Sequence, residues 1–266
     1  TRRKNMKLAI SNIAWSKEYD EEMYEFLSKN GIEGLEIAPT RIFEKNPYTH
    51  VSEMRDYAQK LKEKYNLTIC SMQSIWYGKT QNIFLMDNDD LLLYTKKCID
   101  FASAIECRNL VFGCPKNRNI PEGHDHSEVF DFFRQIGNYA YEKNTFFSLE
   151  PNPTIYNTNF MNYTNDTIKE VELLNNPGIK VNFDLGTVIY NKENIMNYDS
   201  KYINHIHISE PFLKPVELKK IHRVLKEWII KNKYDNYVSI EMGNCNDIEM
   251  VKKTILKVKE LFNDLL

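Results

Sequence analysis

An α/β protein whose eight parallel strands close into a single (β/α)8 TIM barrel is the fold this sequence predicts, on three observations. Short apolar, β-rich runs alternate with helical-period segments from one end of the 266 residues to the other. Eight such alternations give about 33 residues each, the size of a βαβ element, and repeated βα units call for a parallel sheet. An open doubly wound sheet would bring a Gly-rich phosphate turn after its first strand, and Ile10-Ser11-Asn12-Ile13 is no such turn. With no Gly/Ser/Pro-rich linker or low-complexity block, residues 1–266 read as one domain, Thr1–Asn5 being a short basic N-terminal extension.

Each unit has its own signals. The first strand is read at Lys7–Trp15 and its helix at Asp20–Asn30, closed by Asn30-Gly31. The second pairs Gly34–Pro39 with Ser52–Tyr65, the third Leu67–Ser74 with Asp89–Ile105, and the fourth Asn109–Cys114 with Ser127–Lys143. The fifth joins Thr145–Glu150 to Asn165–Asn175, stopped by Asn176-Pro177-Gly178. The sixth has strand Ile179–Asp184 and the least regular helix, Lys192–Tyr198. The seventh runs Ile203–Ser209 and Val216–Lys231, and the eighth Tyr237–Met242 and Asp247–Phe262, opened by Asn246-Asp247.

Composition narrows the function classes. With 35 Lys+Arg against 37 Asp+Glu and a net charge of −2, the chain lacks the basic excess of a nucleic-acid binder. Its basic run Lys219–Lys233 carries Ile221, Val224, Leu225 and Trp228 at helical spacing and reads as a solvated outer helix. No stretch approaches the roughly 20 apolar residues of a membrane span, and no signal core precedes Met6. Five cysteines, never spaced Cys-x-x-Cys, read as reduced thiols. The expectation is a cytoplasmic protein with no membrane and no nucleic-acid partner, a homo-oligomer being left open.

Side chains alternate across a strand, so parity assigns faces. On strands five to eight it pairs Ser148 with Glu150, Asn182 with Asp184, His205 with His207, and Ser239 with Glu241, each pair opposite an apolar pair. In a barrel, chemistry sits where the strands end. Glu150, Asp184, His207 and Glu241 then converge on one mouth, and His205 lies a step deeper. Three carboxylates packed together repel unless a cation neutralises them, and three oxygen donors with one imidazole suit a single divalent ion such as Mn²⁺, Mg²⁺ or Co²⁺.

The runs Ser148-Leu149-Glu150-Pro151-Asn152-Pro153, Asn182-Phe183-Asp184-Leu185-Gly186, His205-Ile206-His207-Ile208-Ser209-Glu210 and Ser239-Ile240-Glu241-Met242 resemble the xylose isomerase-like TIM-barrel superfamily. The closest branch is that of the sugar phosphate isomerases and epimerases, which includes D-tagatose 3-epimerase-like enzymes. The resemblance implies that Glu150, Asp184, His207 and Glu241 ligate one divalent metal, with Glu150 and Glu241 also the acid/base pair. The implied activity is isomerisation or epimerisation of a sugar or sugar phosphate by proton transfer through a metal-stabilised cis-enediolate. Within the superfamily the alternative is a metal-dependent lyase that dehydrates a keto-sugar or keto-inositol. An endonuclease IV-like phosphodiesterase needs more histidines at strand ends, and a non-catalytic sugar-binding protein would not exchange protons.

Two positions depart from the ketose epimerases. Thr187 stands where a substrate-binding histidine follows the metal aspartate by three residues, and Leu213 where an arginine follows the metal histidine by six. The remaining candidates for substrate contact are Glu36, Gln73, Trp76, Lys116, Arg118, Asn152, Thr187 and Glu210. Lys116, Arg118 and Arg41 would form a positive rim for a phosphate or carboxylate, and Trp15, Trp76 and Tyr77 aromatic walls. His124-Asp125-His126 reads as a solvent loop.

Overall fold

The computed structural model describes residues 6–85 and 89–266; the expected extension at residues 1–5 lies outside them. Eight parallel strands, each hydrogen-bonded to the next and the last to the first, form a closed barrel. They are β1 Lys7–Ser11, β2 Gly34–Ile37, β3 Thr68–Met72, β4 Leu110–Phe112, β5 Phe147–Leu149, β6 Ile179–Asp184, β7 Ile203–Ile208 and β8 Tyr237–Ile240. The helices are α1 Asp20–Lys29, α2 Pro39–Ile42, α3 Val51–Tyr65, α4 Asp89–Ala104, α5 Phe130–Glu142, α6 Thr164–Leu174, α7 Leu185–Asn191, α8 Lys220–Asn232 and α9 Ile248–Phe262. No helix among the described residues is long and apolar enough to cross a membrane.

Most strands are shorter than the apolar runs suggest. Residues beyond the strand ends keep their burial but turn away: Asn12–Ala14 coil into a 3-10 turn, and Pro39 opens α2 because its fixed φ suits a first helical turn. The sixth unit needs a correction. Its helix is Leu185–Asn191, directly after the strand, and Lys192–Tyr198 holds only a 3-10 turn at Ile195–Asn197. Leu185, Gly186, Thr187 and Val188 are all buried, which erases the amphipathic period that would announce a helix.

Between strands and helices lies an apolar layer in which the outward set Leu110, Phe112, Phe147, Leu149, Val181, Phe183, Ile206, Ile208, Val238 and Ile240 is at most 2% exposed. Helix α5 packs closely because Gly178 faces Gly137: a Cβ on Gly178 would lie 1.8 Å from the Gly137 carbonyl oxygen. Inside the barrel the lower layer is polar. Asn109 donates to Ser71 Oγ and Asn182 Oδ1 and accepts from Ser148 and Asn204, so its side chain bridges five strand segments around the axis. Register shifts between Leu35 and Glu36 opposite β3, and between Val181 and Asn182 opposite β7, mark irregularities that re-aim side chains. At the second, Asn204 is passed over in the pairing and both Asn204 and His205 turn toward buried polar partners.

Candidate active site

The C-terminal ends of β5 to β8 bring Glu150, Asp184, His207 and Glu241 together, all buried, with one ligand-capable atom of each within 4.8 Å of the others. Glu150 and Glu241 lie just beyond their strands but keep ladder bonds, Glu150 N to Phe112 O at 3.0 Å and Glu241 N to Ile208 O at 2.9 Å. Asp184 ends β6 and is also the N-cap of α7, its carboxylate accepting from Thr187 N at 2.7 Å. His207 Nδ1 faces Glu150 Oε1 at 2.9 Å and Glu241 Oε2 at 3.2 Å. Its Nε2 points the other way, 2.9 Å from Glu36 Oε2.

Each carboxylate of the cluster has neutral donors of its own. Asn182 Nδ2 donates to Glu150 Oε1 at 2.9 Å and Asn152 Nδ2 to Glu150 Oε2 at 3.3 Å. Gln73 Nε2 donates to Glu241 Oε1 at 2.9 Å, and Ser11 Oγ fixes that amide by donating to its oxygen. Thr187 Oγ1 lies 2.6 Å from Asp184 Oδ2, and Ser209 Oγ holds Oδ1. Gly113 leaves room for Glu150, since a Cβ there would come within 2.8 Å of Glu150 Oε2.

Burial pushes the Glu150, Asp184 and Glu241 carboxyls up from their ordinary range, partly opposed by His207. Burial works against a charged His207, yet the Glu241 and Glu36 charges outweigh it and raise the imidazole well above its usual range. Desolvation also acts against ionised Glu36, but His207 and His205 hold it well below the carboxylate range. A cluster of acids buried around one imidazole is the arrangement a divalent cation neutralises. The donor set fits: with an N–H on Nε2 bonded to Glu36, a cation displacing the Nδ1 proton would meet the imidazole lone pair together with the three carboxylates.

Above the cluster opens a cavity of about 230 Å³ whose walls include Gln73, Asn152, Glu210 and Leu213 beside Glu150, Asp184 and Glu241. Glu36 does not reach it: fully buried, it bonds His207 and Ser239 beneath the floor, with His205 Nε2 3.4 Å away. Nor does Trp76, whose ring packs on Phe112 and Phe132 and whose Nε1 donates to Thr95 Oγ1 in the outer core. Thr187 is fully buried against Asp184 and Pro151 O, so it positions a carboxylate and does not line the cavity.

The expected positive rim is absent from the cavity wall. Arg118 is fully buried and donates to the carbonyls of Glu150 (2.7 Å) and Met161 (3.4 Å), tying two loops behind the site. Arg41 is committed to Asp20 and to Trp15 O. Lys116 is exposed on its loop outside the cavity walls, and Tyr77 is 72% exposed. His124 and His126 each face a glutamate on the surface, Glu128 and Glu170. Sequence reasoning missed Tyr156, which lines the cavity and whose hydroxyl accepts from Phe212 N at 2.8 Å. It lies in a loop with no periodicity to flag it.

A family model described as xylose isomerase-like TIM barrel matches residues 24–260. No curated protein matches the chain. Solved structures with the same fold include 3-keto-D-glucoside 4-epimerase from E. coli, at TM-score 0.75 and 15% identity, covering 96% of this chain and 99% of that one. A D-psicose 3-epimerase from Clostridium cellulolyticum H10, solved with D-tagatose, matches at TM-score 0.77 and 15% identity over 98% and 99%. A probable 3-DHS dehydratase from Bacillus anthracis matches at 0.70 and 15% over 96% and 99%.

Proposed function

The chain belongs to the xylose isomerase-like TIM barrel family, and from that premise we propose that it is a divalent-metal-dependent sugar isomerase or epimerase. One observation carries the reading: Glu150 and Glu241, on non-adjacent strands, flank His207 Nδ1 at the floor of one cavity with a carboxylate on each side. A divalent ion, Mn²⁺, Mg²⁺ or Co²⁺, held by Glu150, Asp184, His207 and Glu241 would supply Lewis-acid polarisation of a carbonyl and its neighbouring hydroxyl.

The chain's own residues do the rest. One glutamate takes the proton from the carbon between carbonyl and hydroxyl, and the other returns a proton. Return to the opposite face inverts the centre; return to the adjacent carbon moves the carbonyl. Burial favours this chemistry, since it lifts both carboxyls toward the range where proton uptake and release are balanced. Asn182 and Asn152 hold the plane of Glu150, and Gln73 that of Glu241, so each carboxylate meets substrate in a fixed orientation.

Incubation of metal-loaded protein with keto sugars in D₂O tests this. Deuterium should enter the carbon next to the carbonyl, and Glu150→Gln or Glu241→Gln should cut exchange by at least about 10²-fold. Metal content is measured alongside, with Asp184→Asn as the variant that lowers occupancy without removing a proton-transfer group. Turnover without deuterium in the product, or release of a dehydrated product, would overturn the reading.

A further inference from the structure

We propose that Tyr156 is a positioning residue: its hydroxyl clamps the Phe212–Leu213 turn as a movable wall of the cavity, and making or breaking that bond sets how tightly the cavity closes on a ligand. The inference rests on the cavity being the ligand site, as the proposed function has it, and not on which reaction occurs there. It starts from the backbone. Phe212 (φ 61°, ψ 24°) and Leu213 (φ 52°) are consecutive non-glycine residues in the left-handed region, and no other adjacent pair among the described residues shares it. Neither side chain has the short polar group that lets asparagine or aspartate adopt this conformation through a local hydrogen bond, so the chain gains nothing locally from the turn. Such strain persists only where tertiary contacts over-determine it, and it collects at ligand clamps.

Three hydrogen bonds supply that determination. Leu213 N donates to Glu210 O at 3.0 Å, and Gly243 N, in the loop after β8, donates to Leu213 O at 2.8 Å. Both anchor the Leu213 end, where Glu210 is itself pinned by Lys219 Nζ at 2.9 and 2.8 Å. The third comes from the loop after β5: Tyr156 Oη accepts from Phe212 N at 2.8 Å, and the two rings meet with centroids 6.0 Å apart. Among the described residues no other hydrogen bond reaches Phe212 N. Phe212 is 60% exposed, so water can replace the hydroxyl, and this is the bond of the three that breaks at least cost. Tyr156 and Leu213 both line the cavity. Once the hydroxyl lets go, the strained turn is free to relax, and Leu213 moves with it. The wall therefore has two arrangements, and the Tyr156 bond selects the closed one.

Thiol labelling reads the wall without reference to any sugar. Cys114 lines the same cavity and is partly exposed, and in a Cys245→Ser background it is the one cysteine that is not buried. N-ethylmaleimide, an uncharged reagent, followed by mass spectrometry gives its labelling rate. Tyr156→Phe keeps the ring and removes the hydroxyl; it should raise that rate by about 3–10-fold at an unchanged Tm, the factor one lost hydrogen bond supplies. In a Phe212→Asn background, where the left-handed conformation costs less, the same substitution should change the rate by less than about twofold. In D₂O exchange of a keto sugar by metal-loaded protein, Tyr156→Phe should raise KM by about 3–10-fold and leave kcat within about twofold. Labelling of the folded Tyr156→Phe variant within about twofold of the parent overturns the inference, as does an equal effect in the Phe212→Asn background, because the hydroxyl then holds no strain. A fall in kcat at constant KM makes Tyr156 a reacting group and overturns it too. If no keto sugar exchanges, the proposed function fails while the labelling rates still decide the clamp.

Discussion

Replacing Glu36 by Gln should weaken metal binding although Glu36 never meets the cavity. In the native chain the carboxylate accepts from His207 Nε2 at 2.9 Å, with His205 Nε2 at 3.4 Å and Ser239 Oγ at 3.3 Å. An acceptor-only partner keeps a proton on His207 Nε2, so the Nδ1 proton held between Glu150 and Glu241 is the one a bound divalent ion would displace. A glutamine in that space brings an NH₂ that can donate to Nε2, and the imidazole then keeps its proton on Nδ1, the atom needed as ligand. Loss of such an outer partner typically costs 10–100-fold in metal affinity, about 1.4–2.7 kcal/mol. The assay is competition against a chelator of known affinity, on wild type and Glu36→Gln, with thermal unfolding recorded for both apo proteins. Affinity within twofold of wild type in a folded variant would refute the tautomer argument. Equal weakening by Ser239→Ala would show that packing beneath the floor, not the carboxylate, sets the effect.

Three further outcomes are expected. Gly113→Ala places a methyl 2.8 Å from Glu150 Oε2, and displacing that carboxylate should lower the exchange rate by about 10–100-fold with little change in Tm, measured by proton exchange and calorimetry. Arg118→Met leaves the carbonyls of Glu150 and Met161 without their donor; stability to urea should fall by about 1–3 kcal/mol, and an unchanged midpoint would remove Arg118 from its structural role. Glu21, held down to about 2 chiefly by its hydrogen bonds with Lys60, Tyr65 and Lys64, links α1 to α3. Because its folded pKa lies below the unfolded one, its stabilisation is present above pH 4.5 and lost as pH falls toward 2. Glu21→Gln should therefore cost a few tenths to about 1 kcal/mol at pH 7, discounted for its exposure, and nothing near pH 2, as read from denaturant midpoints.

Strand order, closure and the identity of the four converging residues were legible in the sequence because they rest on short-range rules. Period-two alternation puts Glu150, Asp184, His207 and Glu241 on one face, and eight βα repeats leave a closed barrel as the economical way to bury both faces of every strand. Helix ends with explicit chemistry were legible too: Asp247 caps α9 by accepting from Met250 N, and Gly31 follows α1 at φ +67. Helix α7 was not, because its buried residues leave no polar face to set the period.

What the tertiary structure decided is which polar groups each side chain meets, since those partners come from distant parts of the chain. Arg118 sits in a loop that reads as a positive rim, but the fold buries it on the Glu150 and Met161 carbonyls, 32 and 43 residues away. Thr187 reads as a substrate position, yet α7 starts so close to Asp184 that its amide and hydroxyl cap the carboxylate. Glu36 is tied to His207 across 171 residues and Gln73 to Glu241 across 168. The sequence by itself determined which groups point inward, because alternation is local. Their pairing, and so the proton kept on His207 Nε2, depends on barrel closure, which brings β2 and β3 against β7 and β8.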